Sequence, residues 1–346
     1  MAWFGKRGSA LGPAPLSGRE LLLVDLDGVV YRGEGAIPGA VEHLNRAGRE
    51  AQLGYVTNNA SRTDRDVAGH LRSLGLEAIA EHVVTSPQAA VQLLARTVPA
   101  GSLVLVVGGE GVVDELEKAG FGITRSAADA PAAVVQGFAP HVGWEHLAEA
   151  AFALAEQPGG EVLPWIATNT DWTIPVARGL APGNGTLVSA VHTAVQRLPV
   201  FAGKPEPAIF ETAFGRFGTR NALMIGDRLD TDIKGALAAG IPALHVLTGV
   251  DRPKQLVAAS ADMRPDFIVA TLADLHEQYP STEVSADGTA RVAAARVRLR
   301  GNVVEIVDRG SSPIDLLRAG CAAIWASGLA IYGLQVPAEL YEDHWR

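Results

Sequence analysis

A single cysteine, Cys321, excludes any disulfide within the chain and suits a reducing compartment such as the cytoplasm. Lysine is nearly as scarce: five lysines (Lys6, Lys118, Lys204, Lys234, Lys254) stand among 29 basic residues, so each invites a question. Long apolar runs are also missing. The longest, around residues 321–334, is shorter than a membrane span and broken by Ser and Gly, which argues for core packing and against a membrane partner. Residues 1–18 carry Lys6 and Arg7, then Gly, Pro and Ser where a signal peptide would need an apolar stretch. A net charge of −9 argues against nucleic acid. The nine histidines are scattered, and His141 and His146, five apart, fall off a shared helical face, so core or surface roles are expected of them. What is present is enough for two or three domains, with 48% hydrophobic residues to fill their cores.

The most informative stretch is Asp25-Leu26-Asp27-Gly28 directly behind the apolar run Leu21-Leu22-Leu23-Val24. Residues two apart in a strand share a face, so both carboxylates project where the strand ends, and Gly28 lets the chain turn. One carboxylate is placed to attack phosphorus while the other moves a proton to the leaving oxygen and from water. Carboxylates so close need a cation, and Mg²⁺ is the natural choice beside a phosphate. A second strand, residues 53–56, ends in Thr57-Asn58-Asn59, a hydroxyl and two turn amides suited to phosphate oxygens. Lys204, framed by Gly203 and Pro205, supplies a compact counter-charge. Residues 222–226 form a third buried-strand pattern, ending in Asp227 with Asp230 and Asp232 behind it, as a metal site would.

These four strand-end signals, in this order, resemble the haloacid dehalogenase superfamily, and within it the phosphatases with a large α/β cap, over roughly residues 18–278. The resemblance implies Asp25 as nucleophile, Asp27 as general acid and base, Thr57 as phosphate-binding hydroxyl and Lys204 as the lysine steadying both. It also implies a Mg²⁺ held by the Asp25 side chain, the Asp27 carbonyl and Asp227, with Asp232 orienting metal-bound water from behind. Asp230 is expected to be solvated. The implied activity is hydrolysis of a small phosphorylated metabolite, glycerol 3-phosphate first, with a place in glycerophospholipid metabolism; phosphoglycolate, pyridoxal phosphate and nucleoside monophosphates are the alternatives. A phosphosugar mutase is disfavoured because its smaller cap lies between the first two motifs. A non-catalytic binding module is disfavoured because every catalytic group is present.

Alternating strand and helix patterns imply a Rossmann-like parallel-sheet α/β core with carboxylates at strand ends. About thirty residues separate Asp27 from Thr57, too few for a domain, whereas Thr57 and Lys204 stand far enough apart to hold one. The expected division is therefore a core of residues 18–90 and 199–278, an inserted cap of 91–198, and a C-terminal α/β module of 282–346. In the cap, residues 103–107, 133–136 and 162–167 read as strands and 112–119 and 144–154 as helices. The glycines of 108–111 lack the spacing of a dinucleotide loop. The C-terminal module, strand-like from Glu283 with a helix over 313–327, is expected to pack on the core or to support a homodimer, with a regulatory ligand site as the alternative. Discrimination among esters is expected from the cap stretch 167–172, where Asn169 and Asp171 either bind substrate hydroxyls or fix the loop that does.

Overall fold

The computed structural model describes residues 11–156, 162–176 and 178–342. It divides into two compact units, Met1–Leu53 with Asn221–Arg346, and Gly54–Arg220.

In the first unit, parallel strands run in the order Phe267–Val269, Ala243–Val246, Ala222–Gly226 and Leu21–Val24. Leu21 to Val24 lie opposite Ala222 to Ile225 and are all fully buried. Such strands read as unbroken apolar runs because both faces are covered. A wide π-type turn, Leu229–Ile233, leads into the short helix Lys234–Ala238. Its cause is local: Asp232 turns back so that Oδ2 accepts from the N–H groups of Asp227 (3.2 Å) and Arg228 (3.1 Å).

The C-terminal residues of this unit form an antiparallel sheet, Thr282–Val284, Thr289–Val292, Ala295–Arg300 and Val303–Asp308, with the helix Pro313–Ser327 laid over it. Ala295 and Val297 point inward, while Arg296 and Arg298 point outward to Asp308 (3.1 Å) and Glu305 (2.7 Å). The helix packs on the parallel sheet's edge. Arg318, buried over the Tyr279 ring, donates twice to Ile268 O (2.9 and 2.6 Å). Cys321 is buried in the same helix and burial pushes its thiol pKa up, so it is unreactive.

In the second unit the end of Gln52–Thr57 pairs in parallel with Val83–Thr85, Thr57 opposite Thr85. A separate parallel sheet runs Val200–Phe201, Trp165–Ala167, Ala133–Gln136, Leu103–Val107, Gly122–Thr124. Helices Glu110–Lys118, Trp144–Leu154 and Asn184–Val195 alternate with these strands, and the last two pack with the buried side chains of the central ones. The expected strand over 162–167 shortens to 165–167. The hairpin Thr173–Val176 and Gly179–Pro182 and the helix from Asn184 were not anticipated, because Gly183, Asn184 and Gly185 read as a loop. Packing overrides that propensity: Gly183 N and Gly185 N donate to Trp172 O and Asp171 O, which tie down the helix start. The 108–111 glycines serve close approach. A β-carbon on Gly111 would lie 2.5 Å from Arg62 O and 2.7 Å from Ala60 O.

Candidate active site

In the first unit, Asp25 extends the buried strand by one residue, its N–H donating to Ile225 O at 2.9 Å. Its side chain is half-buried; that of Asp27 is exposed. Gly28 then takes a φ of +89°, a conformation that costs glycine nothing, and folds the chain so that Gly28 N donates to Tyr31 O (2.8 Å). A β-carbon there would overlap the Asp227 carboxylate, so the glycine is demanded twice. Asp227 follows the buried strand Ala222–Gly226 and is itself fully buried.

Carboxylate oxygens of Asp25, Asp227 and Asp232 all lie within 4.8 Å of one another. Three anions this close repel by on the order of 3 kcal/mol per pair, which a hard divalent ion with oxygen ligands removes. The donor set therefore fits Mg²⁺. Asp232, expected behind the metal ligands, stands in the same cluster, while Asp27 contributes no carboxylate to it. Asp230 is exposed and paired with Arg228 at 2.9 Å.

A loop that sequence reasoning missed supports Asp227 from behind. Val250 N donates to Asp227 Oδ2 (2.6 Å), Asp251 N to Asp227 O (3.1 Å), Leu229 N to Asp251 Oδ2 (2.7 Å) and Thr248 Oγ1 to Gly28 O (2.7 Å). Burial pushes the Asp251 carboxyl above its ordinary pKa, against the lowering effect of the Leu229 N–H. The available signal was Thr248-Gly249 closely following the strand Ala243–Val246, the same strand-end logic that found the others.

In the second unit Thr57 and Asn58 are buried at the end of their strand. Asn58 was expected as an exposed turn amide, but its side chain is committed: Oδ1 accepts from Lys204 N (2.8 Å), and Nδ2 donates to Lys204 O (3.0 Å) and Asp171 Oδ1 (3.2 Å). Asn59 N donates to Thr57 Oγ1 (3.1 Å), and Asn59 Oδ1 accepts from Ser61 N and Oγ. Lys204, 2% exposed, donates from Nζ to Val56 O at 3.1 Å. Asn169 Nδ2 donates to Asn58 O (2.7 Å) and its Oδ1 accepts from Asp171 N (3.1 Å). Asn58, Asn169, Asp171 and Lys204, up to 146 positions apart, thus form one network. A second acidic group, Asp64, Asp114 and Glu115, is an ion-pair cluster. Lys118 Nζ reaches all three, at 3.2, 2.7 and 2.7 Å, and although burial works against its charge, those hydrogen bonds raise its pKa. His141 and His146 do meet, ring centroids 5.8 Å apart, because His141 precedes the helix instead of lying on it.

Residues 22–122 match the model of the haloacid dehalogenase-like hydrolase family and residues 201–275 that of a HAD-hydrolase-like family. The chain is 42% identical to the D-glycerol 3-phosphate phosphatase of Mycobacterium tuberculosis, covering 90% of this chain and 87% of that protein. A crystal structure of a glycerol phosphate phosphatase from that organism, in complex with magnesium, superimposes with a TM-score of 0.84 at 38% identity, covering 94% of this chain and 95% of that one. The p-nitrophenyl phosphatase of Archaeoglobus fulgidus matches at TM-score 0.68 and 29% identity, with 98% of its own length but 75% of this chain. The chain belongs to the haloacid dehalogenase-like hydrolase family.

Proposed function

We propose that this protein is a Mg²⁺-dependent phosphomonoesterase acting on a small phosphorylated metabolite, glycerol 3-phosphate first. The observation that carries the reading is 42% identity, over nine-tenths of the chain, to an enzyme named for that substrate. The clustered strand-end carboxylates and the buried lysine supply the matching chemistry. Asp25, the Asp27 carbonyl and Asp227 hold the ion, with Asp232 supporting them. Bound there, Mg²⁺ offsets the mutual repulsion of carboxylate and phosphate. Thr57, the turn at Asn58 and Asn59, and Lys204 hold the phosphate oxygens. Asp25 attacks phosphorus in line, so that its P–O bond forms as the ester P–O bond breaks, and Asp27 protonates the departing alkoxide. Asp27 then takes a proton from the water that attacks the aspartyl-phosphate, returning free Asp25 and inorganic phosphate.

Residues 91–198 act as the cap, and Asn169 and Asp171 fix the loop that discriminates among leaving groups. The hydrogen bonds of both to Asn58 favour this role over direct contact with substrate. We place the enzyme in the cytoplasm, as a homodimer serving glycerophospholipid metabolism. No helix among the described residues is long and apolar enough to cross a membrane. The test is kcat/KM for glycerol phosphates, phosphoglycolate, pyridoxal phosphate and nucleotides at fixed Mg²⁺, with wild type beside Asp171→Ala. Glycerol 3-phosphate should lead nucleotides by at least about tenfold, since polar loop groups reward hydroxyls, and the variant should compress the ranking. A preference for nucleotides overturns the substrate; an unchanged ranking in the variant removes the loop from specificity.

A further inference from the structure

We propose that Asn58 is a positioning residue: its side-chain amide sets the main chain of Lys204 and couples that lysine to the loop carrying Asp171. This deepens the phosphatase reading and rests on it. The amide spans one residue's backbone as a sheet partner would, Oδ1 accepting from Lys204 N (2.8 Å) and Nδ2 donating to Lys204 O (3.0 Å). The second Nδ2 proton goes to Asp171 Oδ1 (3.2 Å). The Asn58 carbonyl accepts from Ser86 Oγ (2.9 Å) and Asn169 Nδ2 (2.7 Å), so the residue cannot swing away. Gly203 permits the approach: a β-carbon there would stand 2.5 Å from Asn58 Oδ1 and 2.5 Å from Thr168 O. Lys204 Nζ returns to Val56 O, two residues before Asn58, so the same strand end holds both ends of the lysine. Among uncharged side chains only an amide of this length offers one acceptor and two donors from a single plane.

Asn58→Asp preserves shape but sets an anion against Lys204 O and Asp171 Oδ1. It should lower kcat by about a hundredfold, the cost of misplacing a catalytic group by about 1 Å. Its activity should recover toward acid pH relative to wild type, because protonation restores one donor. Asp171→Asn in that background returns a donor to the 3.2 Å contact and should regain part of kcat. Independently of turnover, Asn58→Ala should speed deuterium exchange in residues 200–206 of the full-length protein. A KM increase at wild-type kcat, an unshifted pH profile, or no recovery in the double variant overturns the proposal while leaving the phosphatase reading intact. If wild type hydrolyses no phosphate ester, that reading fails on its own, and the exchange experiment still decides: unchanged rates at 200–206 in Asn58→Ala reject the clamp.

Discussion

Asp227 has almost no freedom. Its carboxylate takes the Val250 N–H at 2.6 Å, its carbonyl takes Asp251 N, and Gly28 and Gly249 press on it so closely that a β-carbon on either would overlap its side chain. Gly249→Ala must therefore displace the carboxylate or the loop. We expect the Mg²⁺ concentration for half-maximal activity to rise at least about tenfold, the scale seen when support of a metal ligand is lost, and the Mg²⁺-induced rise in melting temperature to shrink with it. Wild-type Mg²⁺ dependence in that variant would show that the loop does not support the ligand.

His245 lies fully buried one strand away, opposite Gly226, with Nε2–H donating to Asp251 O at 3.1 Å. Burial holds its pKa at about 4, below the ordinary 6.5. The folded state thus keeps it neutral, and its full stability is present above pH 6.5. As pH falls from 6.5 toward 4 the unfolded chain gains the proton first, and about 3 kcal/mol is lost. Denaturation of His245→Gln across this range should show a correspondingly shallower decline; parallel curves would remove His245 from the pH response.

At this scale the sequence revealed the residues that follow unbroken apolar runs: Asp25, Thr57 and Asp227. It hid the supports. Gly249 and Val250 follow a strand interrupted by His245, and their contribution is made by backbone N–H groups, which leave no residue-type signature.

Among the elements, the helix Pro313–Ser327 shows how an accessory module is attached. It buries Leu316, Leu317 and Ile324 on one side and sends Arg318 to the Ile268 carbonyl at the parallel sheet's last strand. Arg318 also pairs with Asp315 (2.8 Å) and covers the Tyr279 ring. Replacing it with Met should cost about 2–3 kcal/mol, the price of leaving a buried acceptor unsatisfied after losing charged hydrogen bonds. Urea denaturation measures this, and kcat/KM should stay unchanged because the residue supports the fold. A loss below about 0.5 kcal/mol would mean that the module is held by apolar contact alone.

Elements with a clean period were legible: the helices over 144–154 and 313–327, and the strands over 103–107 and 133–136, stand where the pattern put them. Short strands were not. Gly122–Thr124 and Val200–Phe201 are too brief for a period-2 pattern and exist because a neighbouring strand offers its edge. The π-type turn at Leu229 was equally hidden, since it depends on Asp232 capping N–H groups behind it.

For the whole molecule, the parallel sheets of both units follow from the alternation of strands and helices along the chain, which the apolar pattern of the sequence carries. How residues 58, 169, 171 and 204 converge was not, because each looks like an ordinary turn residue until distant segments meet. A net charge of −9 on a protein that must receive a phosphate anion makes local cations decisive, and among the described residues Lys204 is a buried one. Of the roles proposed above, the central one is that of Asp25, as the residue that bonds to phosphorus. The most direct test is release of inorganic phosphate from glycerol 3-phosphate with Mg²⁺ by wild type beside Asp25→Asn, whose amide keeps the shape and removes the nucleophile. Wild type should turn over and the variant should fall by at least about a thousandfold while melting like wild type. Turnover by Asp25→Asn at the wild-type rate, or an inert wild type, would contradict the account.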